Sequence, residues 1–298
     1  MPDEPITLTI AHSPDPDDAF MWRPLGSVGG DVEPFEPSID TSPFRFQPVM
    51  LDIESLNRRA IEHADLDITA ISFHTYPHVR HAYALTSCGS SMGEGYGPKI
   101  VSRQVRDIGW LASDITIATP GTHTTAHLTL RLLLGRDFNA IEVPFEEIIE
   151  HVAQGRSDAG IVIHEGQLTY PDHSLRLVTD LGAWWTESTG LPLPLGANAI
   201  RRDLDARHGT GTSTRLARVL LDSIRASQED RAASLSYAAS FGRGISEQRN
   251  DEFVTLYVNP LSEDMGERGA TAVRELLTRA HDAGLCPDPG GIDVVRPE

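Results

Sequence analysis

The stretch that decides the fold is residues 114–165, "DITIATPGTHTTAHLTLRLLLGRDFNAIEVPFEEIIEHVAQGRSDAGIVIHE". Three β-branched, apolar runs alternate in it with two runs of helical character; the five runs are 114–121, 122–134, 140–145, 146–155 and 159–165. A strand–helix–strand–helix–strand rhythm predicts a parallel sheet covered by helices, which is the arrangement of α/β proteins.

The N-terminal part of the chain shows a similar rhythm. Residues 6–12, 44–51 and 66–73 predict strands, and residues 52–64 predict a helix with apolar residues at helical spacing. Residues 26–43 are rich in Gly and Pro and predict a loop or an insertion.

A short strand at 99–103 and an extended segment at 191–200 join these two blocks, and the chain is mostly helical beyond residue 211. A chain that leaves one block and later returns to it forms a discontinuous lobe with a second lobe inserted. We therefore predict an α/β protein with two lobes, parallel or mixed sheets and a central cleft. The predicted bounds are 1–102 and 203–298 for the larger first lobe, 103–202 for the inserted lobe, and hinges near 99–104 and 195–203.

Composition excludes several classes of function. The chain has 298 residues and a formal net charge of −18, which argues against nucleic acid as a partner because phosphate backbones require basic patches. Cys88 and Cys286 show no CxxC spacing. The N-terminus lacks the basic and apolar regions of a signal peptide, and no apolar run reaches the roughly 20 residues of a membrane span. We therefore expect a cytoplasmic protein that does not bind membranes.

Short catalytic motifs are also missing from the sequence. His164 and Glu165 do not form a zinc-binding HExxH motif, because the required second histidine is replaced by Leu168. The sequence contains no GxGxxG fingerprint and no P-loop. We accordingly expect neither a metal nor an organic cofactor.

Ligands of open α/β sheets bind at the carboxyl ends of the strands, so we expect the site in the cleft between the lobes. Polar residues follow four of the predicted strands, and these candidates are Ser13, Asp17, Asp18, Ser72, Thr124, Thr125, His164 and Glu165. The threonines begin a helix, where free N–H groups favour a carboxylate or a phosphate.

Each candidate also has a structural alternative. The aspartates are typical helix caps, Ser72 is typical of a turn, and a threonine can simply cap its helix. From position alone, His164 is equally compatible with a core histidine and with a general base that accepts a proton near neutral pH.

Several segments together resemble one known family. They are "HSPDPDDAF", "DIESLNRRA", "ISFHTY", "TPGTHTTAH", "VAQGRSDAGIVIHEGQLTY" and "DLGAWWTESTGLPLPLGA". In this order, over residues 6–203, they resemble the 1,4-dihydroxy-6-naphthoate synthases of menaquinone biosynthesis. The resemblance is most specific at 159–198 and loose after 210.

The resemblance implies a periplasmic-binding-protein-like fold of type II, with the site between two α/β lobes. It implies a carbon–carbon lyase that converts cyclic dehypoxanthine futalosine, a small molecule with a carboxylate, to 1,4-dihydroxy-6-naphthoate. Carried over, the histidine of the family's "IIHE" falls on His164 as the general base, and substrate contacts fall on Ser72, Thr125 and Ala126, with Thr124 adjacent. The commoner family motif, Ser-Pro-Cys-Pro-Asn-Asp, differs from residues 13–18 here, which place Asp15 and Asp17 at two of its positions.

Two other functions remain open on the same fold. One is a solute-binding protein without catalysis, which the missing signal sequence argues against. The other is the related dehydratase that makes the chorismate-derived precursor of the same pathway, which the segments around His164 and "GAWW" match less well.

Overall fold

The computed structural model describes residues 4–242 and 244–297, and they form two β-sheets. The larger sheet has seven strands in the order β12-β4-β11-β3-β1-β2, with β5 paired to β11. Strands β1 and β3 run parallel, whereas β11 runs antiparallel to β3, β4 and β5. The bounds of these strands are β1 Ile6–His12, β2 Phe44–Met50, β3 Ile68–Ser72, β4 Tyr83–Thr86, β5 Ser91–Gly93, β11 Leu193–Arg201 and β12 Val294–Val295.

The second sheet has five strands in the order β10-β6-β9-β7-β8. Strand β7 pairs in parallel with β8 and β9, as the rhythm of residues 114–165 predicts, and β6 pairs antiparallel with β9 and β10. Both sheets are therefore mixed. The strands are β6 Lys99–Ser102, β7 Thr116–Thr119, β8 Asn139–Glu142, β9 Ala159–Val162 and β10 Arg176–Asp180.

Thirteen α-helices, several of a single turn, complete the described part of the chain. They are α1 Pro16–Trp22, α2 Ile53–Glu62, α3 Tyr76–Val79, α4 Thr125–Leu134, α5 Ile148–Ala153, α6 Gly166–Thr169, α7 Leu181–Thr189, α8 Leu204–His208, α9 Thr212–Glu229, α10 Arg231–Ala239, α11 Glu247–Tyr257, α12 Pro260–Glu263 and α13 Gly266–Asp282. The helical character predicted beyond residue 211 is confirmed by α9 to α13.

The sheets divide the chain at slightly different places from the predicted lobe bounds. The chain enters the smaller sheet at β6, just before residue 102, and leaves it after β10. Strand β11, expected as a segment crossing between lobes, belongs to the larger sheet along its whole length. The division into two lobes with hinges near 99–104 and 195–203 stays a prediction.

One hydrophobic core joins the two sheets. It contains Ile71 and Leu85 from the larger sheet and Ile100 and Ile117 from the smaller one, all fully buried. The carboxyl ends of β1 and β9 lie close together, because Asp15, after β1, is 2.9 Å from His164, after β9. No helix among the described residues is long and apolar enough to cross a membrane.

Candidate functional site

A cavity lies where the carboxyl ends of the two sheets meet. It encloses about 750 Å³ of empty space, its open mouth included. Eight residues predicted from the sequence line it: Ser13, Asp17, Asp18, Ser72, Thr124, Thr125, Ala126 and His164. Glu165, the ninth, is buried but is not among the lining residues.

His164 reaches the cavity because β9 ends two residues before it. Its backbone lies in the left-handed region, with φ of +49°, which is costly for a residue with a Cβ. The ring of Phe145 packs against the imidazole at a centroid distance of 4.6 Å. A strained backbone and a packed ring therefore hold His164 in the wall of the cavity.

The Nδ1 atom of His164 lies 2.9 Å from Oδ2 of Asp15. Asp15 follows β1 of the larger sheet and is 1% exposed. Burial on its own would raise the pKa of Asp15, but the imidazole of His164 outweighs it and holds that pKa below its ordinary value. Asp15 was not predicted as a site residue. The signal in the sequence was its departure from the commoner family motif.

Asp17 and Asp18 lie on the first turn of α1. Burial raises the pKa of both well above the ordinary value, and the charge of Asp15 raises them further. The expectation that one of the pair caps α1 is wrong: Asp15 is the N-cap residue, and it makes no side-chain capping bond. Asp18 Oδ2 instead accepts a hydrogen bond from the Ser13 N–H at 3.1 Å. The cluster therefore contains one stable carboxylate and two carboxyls that favour their neutral form.

Ser72 ends β3 and is held by Asn57 of α2. The Ser72 N–H donates to Asn57 Oδ1 at 2.8 Å, and Asn57 Nδ2 donates to Ser72 Oγ at 3.0 Å. Asn57 is fully buried. Because the hydroxyl oxygen accepts from Asn57, its own proton is left to point elsewhere, and the cavity adjoins it.

The hydroxyls of Thr124 and Thr125, expected to lie at an anion site, both donate to backbone carbonyls. Thr124 Oγ1 donates to the Gly121 carbonyl at 2.7 Å and caps α4 by accepting from the His127 N–H. Thr125 Oγ1 donates to the Leu195 carbonyl at 2.7 Å. Each hydroxyl has a single proton, so neither can also donate to a ligand. The backbone N–H groups of Thr125 and Ala126, which start α4, have no acceptor within the helix.

The rest of the wall comes from residues that sequence reasoning missed. Tyr257 on α11 donates to Gln167 Oε1 at 2.7 Å, and this pair closes one side of the cavity. Asn198 on β11 donates to the Gly89 carbonyl, and its Oδ1 is buried without a hydrogen-bond partner among the described residues. Tyr257 lies beyond residue 210, where the resemblance is loose, so the sequence offered no signal for it.

The two adjacent tryptophans do not reach the cavity. Trp185 is fully buried in the core that joins the sheets, and its indole N–H donates to the Pro192 carbonyl at 3.0 Å. Trp184 packs against the same core. Neither side chain lines the cavity wall.

Three residues could hold a metal ion by proximity. Donor atoms of Asp15, Asp17 and His164 all lie within 4.8 Å of one another. Two features disfavour a cation there: Nδ1 of His164 is bonded to Asp15, and the raised pKa of Asp17 favours a neutral carboxyl.

Comparison with known proteins shows the family to which the chain belongs. A sequence profile described as menaquinone biosynthesis matches residues 8–282. The chain belongs to this family. A 1,4-dihydroxy-6-naphthoate synthase from Thermus thermophilus is 39% identical over 287 residues, covering 95% of this chain and 97% of that protein. A synthase of the same name from Streptomyces coelicolor is 36% identical over 292 residues, covering 95% of this chain and 96% of that protein.

Solved structures show the same fold. A crystal structure from Archaeoglobus fulgidus has a TM-score of 0.83 and 38% identity, covering 94% of this chain and 98% of the other. The alkanesulfonate-binding protein SsuA from Xanthomonas axonopodis, bound to MOPS, has a TM-score of 0.72 at 14% identity, covering 98% and 99%. This second likeness shows the fold alone, and the predicted periplasmic-binding-protein-like α/β fold is thereby confirmed. The chain is thus a member of an enzyme family of menaquinone biosynthesis built on that fold.

Proposed function

We propose that this protein is a 1,4-dihydroxy-6-naphthoate synthase that converts cyclic dehypoxanthine futalosine to 1,4-dihydroxy-6-naphthoate and releases the sugar portion. Two curated synthases are similar to it over nearly their whole length. The observation that carries the proposal is the position of His164, on the wall of the cavity and bonded through Nδ1 to a buried carboxylate.

His164 acts in this proposal as the general base. Since Nδ1 is bonded to Asp15, Nε2 takes the proton from a sugar hydroxyl of the substrate. The hydroxyl oxygen becomes the carbonyl oxygen of the released fragment as the neighbouring C–C bond to the spiro carbon breaks. The electron pair of that bond passes into the ring system, which becomes aromatic. The step moves one proton and electron pairs within a single substrate, so no redox partner is needed.

Other groups of the cavity bind and orient the substrate. The backbone N–H groups of Thr125 and Ala126 receive its carboxylate at the start of α4, where the helix dipole favours an anion. The Ser72 hydroxyl and the Asn198 amide oxygen contact its polar groups. Asp17 and Asp18, which line the cavity, contact the sugar oxygens. We place this reaction in the cytoplasm, with the carboxylate-bearing small molecule as ligand.

The test is turnover of cyclic dehypoxanthine futalosine, followed by the absorbance of the naphthoate product. We expect product from the native protein and a loss of kcat of about 10²–10⁴-fold in His164→Ala, because general base catalysis contributes about that much. Substrate affinity should stay within a few-fold of the native value.

His173→Ala, which removes an exposed histidine, is the matched control and should retain full turnover. A native protein that binds the substrate but forms no naphthoate would support a solute-binding protein instead. Near-normal turnover in His164→Ala would rule out the general base.

A further inference from the structure

We infer that Asp15 is the positioning residue of His164, holding the imidazole in the tautomer and orientation that make Nε2 the base. This inference rests on the proposed function, because it names what orients that base.

The contact has the geometry of a hydrogen bond between an imidazole and a carboxylate. Asp15 Oδ2 lies 2.9 Å from His164 Nδ1. A carboxylate is only an acceptor, so Nδ1 must carry the proton, and the lone pair of the neutral ring is then on Nε2. When Nε2 takes a proton from the substrate, the carboxylate also stabilises the positive charge of the ring.

The ring needs such a partner because its own backbone is strained. The left-handed φ of +49° at His164 costs on the order of 1–2 kcal/mol for a residue with a Cβ. Phe145 contacts the ring by packing, which restricts its tilt but does not choose between the two tautomers. The carboxylate is the group that makes this choice.

Asp15 is suited to stay ionised in this role. It is 1% exposed, and its contact with His164 together with hydrogen bonds to Asp17 and Ser13 keeps its pKa below the ordinary value despite burial. The titratable groups around the pair are Asp17 and Asp18 on α1, His12 at the end of β1 and Glu165 beside His164. Asp17 hydrogen-bonds Asp15 and thereby helps to lower the pKa of Asp15.

The pair joins the two sheets across the cavity. Asp15 follows β1 of the larger sheet, and His164 follows β9 of the smaller one. The base is therefore oriented only while the two sheets keep the relative position seen here. A displacement of 1–2 Å between them would break the hydrogen bond.

The experiment compares Asp15→Asn, Asp15→Gly and a control with the native enzyme. Asp15→Asn should lower kcat by about 10²–10⁴-fold with KM changed less than about threefold, since an amide can present the wrong group to Nδ1. The acid limb of its pH–rate profile should move to lower pH by about one unit or more, because the carboxylate that favours the protonated imidazole is gone. Added formate should restore at least tenfold of the activity lost in Asp15→Gly.

Asp230→Asn is the matched control, because it also replaces an N-cap aspartate by its amide, at α10. It should keep native kcat and a native pH profile. Thermal melting of all variants checks folding. A merely structural role for Asp15 would lower kcat without moving the pH profile and without rescue by formate, and either result overturns the inference.

A readout independent of turnover separates this inference from the proposed function. In spectra of the ¹⁵N-histidine-labelled protein, with His164 assigned by its loss in His164→Ala, we expect the Nδ1–H tautomer in the native protein. Asp15→Asn should shift it towards Nε2–H. If the tautomer of His164 is the same in Asp15→Asn as in the native protein, the inference is overturned even if the enzyme is active. If the native protein forms no naphthoate, the proposed function is overturned even if the tautomer of His164 changes in Asp15→Asn.

Discussion

At the residue scale, Asn57 determines which way the Ser72 hydroxyl donates. Its Nδ2 donates to Ser72 Oγ, which leaves the hydroxyl proton for a ligand in the cavity. In Asn57→Asp the new carboxylate accepts that proton, and the substrate loses a donor. We expect KM to rise about tenfold with a smaller change in kcat, since one lost hydrogen bond is worth about 1 kcal/mol or more.

The control for this change is Asn139→Asp, because Asn139 is exposed and hydrogen-bonded to Thr116 far from the cavity wall. Steady-state kinetics and urea unfolding of both variants distinguish a binding effect from a folding effect. An unchanged KM in a folded Asn57→Asp protein would show that Ser72 does not donate to the substrate.

Three residues that could hold a metal ion, Asp15, Asp17 and His164, predict how enzyme activity responds to a chelator. Although the donor atoms lie within 4.8 Å of one another, Nδ1 is already bonded and Asp17 favours its neutral form. Dialysis against EDTA should therefore leave kcat unchanged, as measured by naphthoate formation alongside elemental analysis. Loss of activity that zinc or manganese restores would contradict this.

The same residues show how far sequence reasoning reaches. His164 was predictable because a strand that ends in an imidazole directs it to the sheet edge, and the edge is where sites form. Its partner was not predictable, because Asp15 meets His164 only after two loops from different sheets have packed together. The hydrogen-bond partners of the Thr124 and Thr125 hydroxyls were not predictable either, because a sequence does not show which carbonyl lies within reach.

At the element scale, hydrogen bonds of the Glu54 carboxylate connect α2 to the residues just before α4. Its carboxylate accepts from the His123 N–H at 3.0 Å, lies 2.8 Å from His123 Nδ1 and accepts from Arg58 at 2.9 Å. A Cβ at Gly121 would lie 2.3 Å from this carboxylate, so the glycine permits the approach. Glu54 thereby holds the N–H groups of α4 at the cavity.

Glu54→Gln should loosen this connection, because an amide has one acceptor atom where the carboxylate has two. We expect a several-fold higher KM and a melting temperature lower by a few degrees, corresponding to roughly 1–3 kcal/mol of buried hydrogen bonding. Glu62→Gln, at the exposed end of the same helix, is the control. If both variants melt and bind alike, Glu54 does not position α4.

The elements themselves were largely predictable, and the exceptions have simple causes. The structure contains the strands and helices that the periodic patterns predict at β1, at α2 and from β7 to β9, with bounds that differ by no more than a few residues. Strand β12 consists of two residues, too few for a pattern, and exists because it pairs with β4. The role of β11 depends on which neighbours it pairs with, which is a tertiary property.

At the scale of the whole molecule, two buried histidines couple folding to pH. His74 follows β3 and His127 lies on α4, and they are 5% and 6% exposed. Burial lowers the pKa of each to about 4. The unfolded chain, with histidine pKa values near 6.5, binds more protons below that pH than the folded chain does. These two histidines therefore do not change the free energy of unfolding above about pH 6.5. They lower it as the pH falls from 6.5 towards 4.

The size of this effect follows from the shift. At pH 5 each histidine should lower the free energy of unfolding by on the order of 2 kcal/mol relative to pH 7. This is a large share of the free energy of unfolding of about 5–15 kcal/mol that is typical of a folded protein. Urea unfolding at both values of pH measures it. His127→Gln removes the titration while keeping an acceptor for the Thr119 hydroxyl, 3.1 Å from Nδ1 in the native protein, and should recover about half of the loss. His173→Gln, at an exposed position, should recover none. Equal acid sensitivity in all three proteins would show that the buried histidines do not set it.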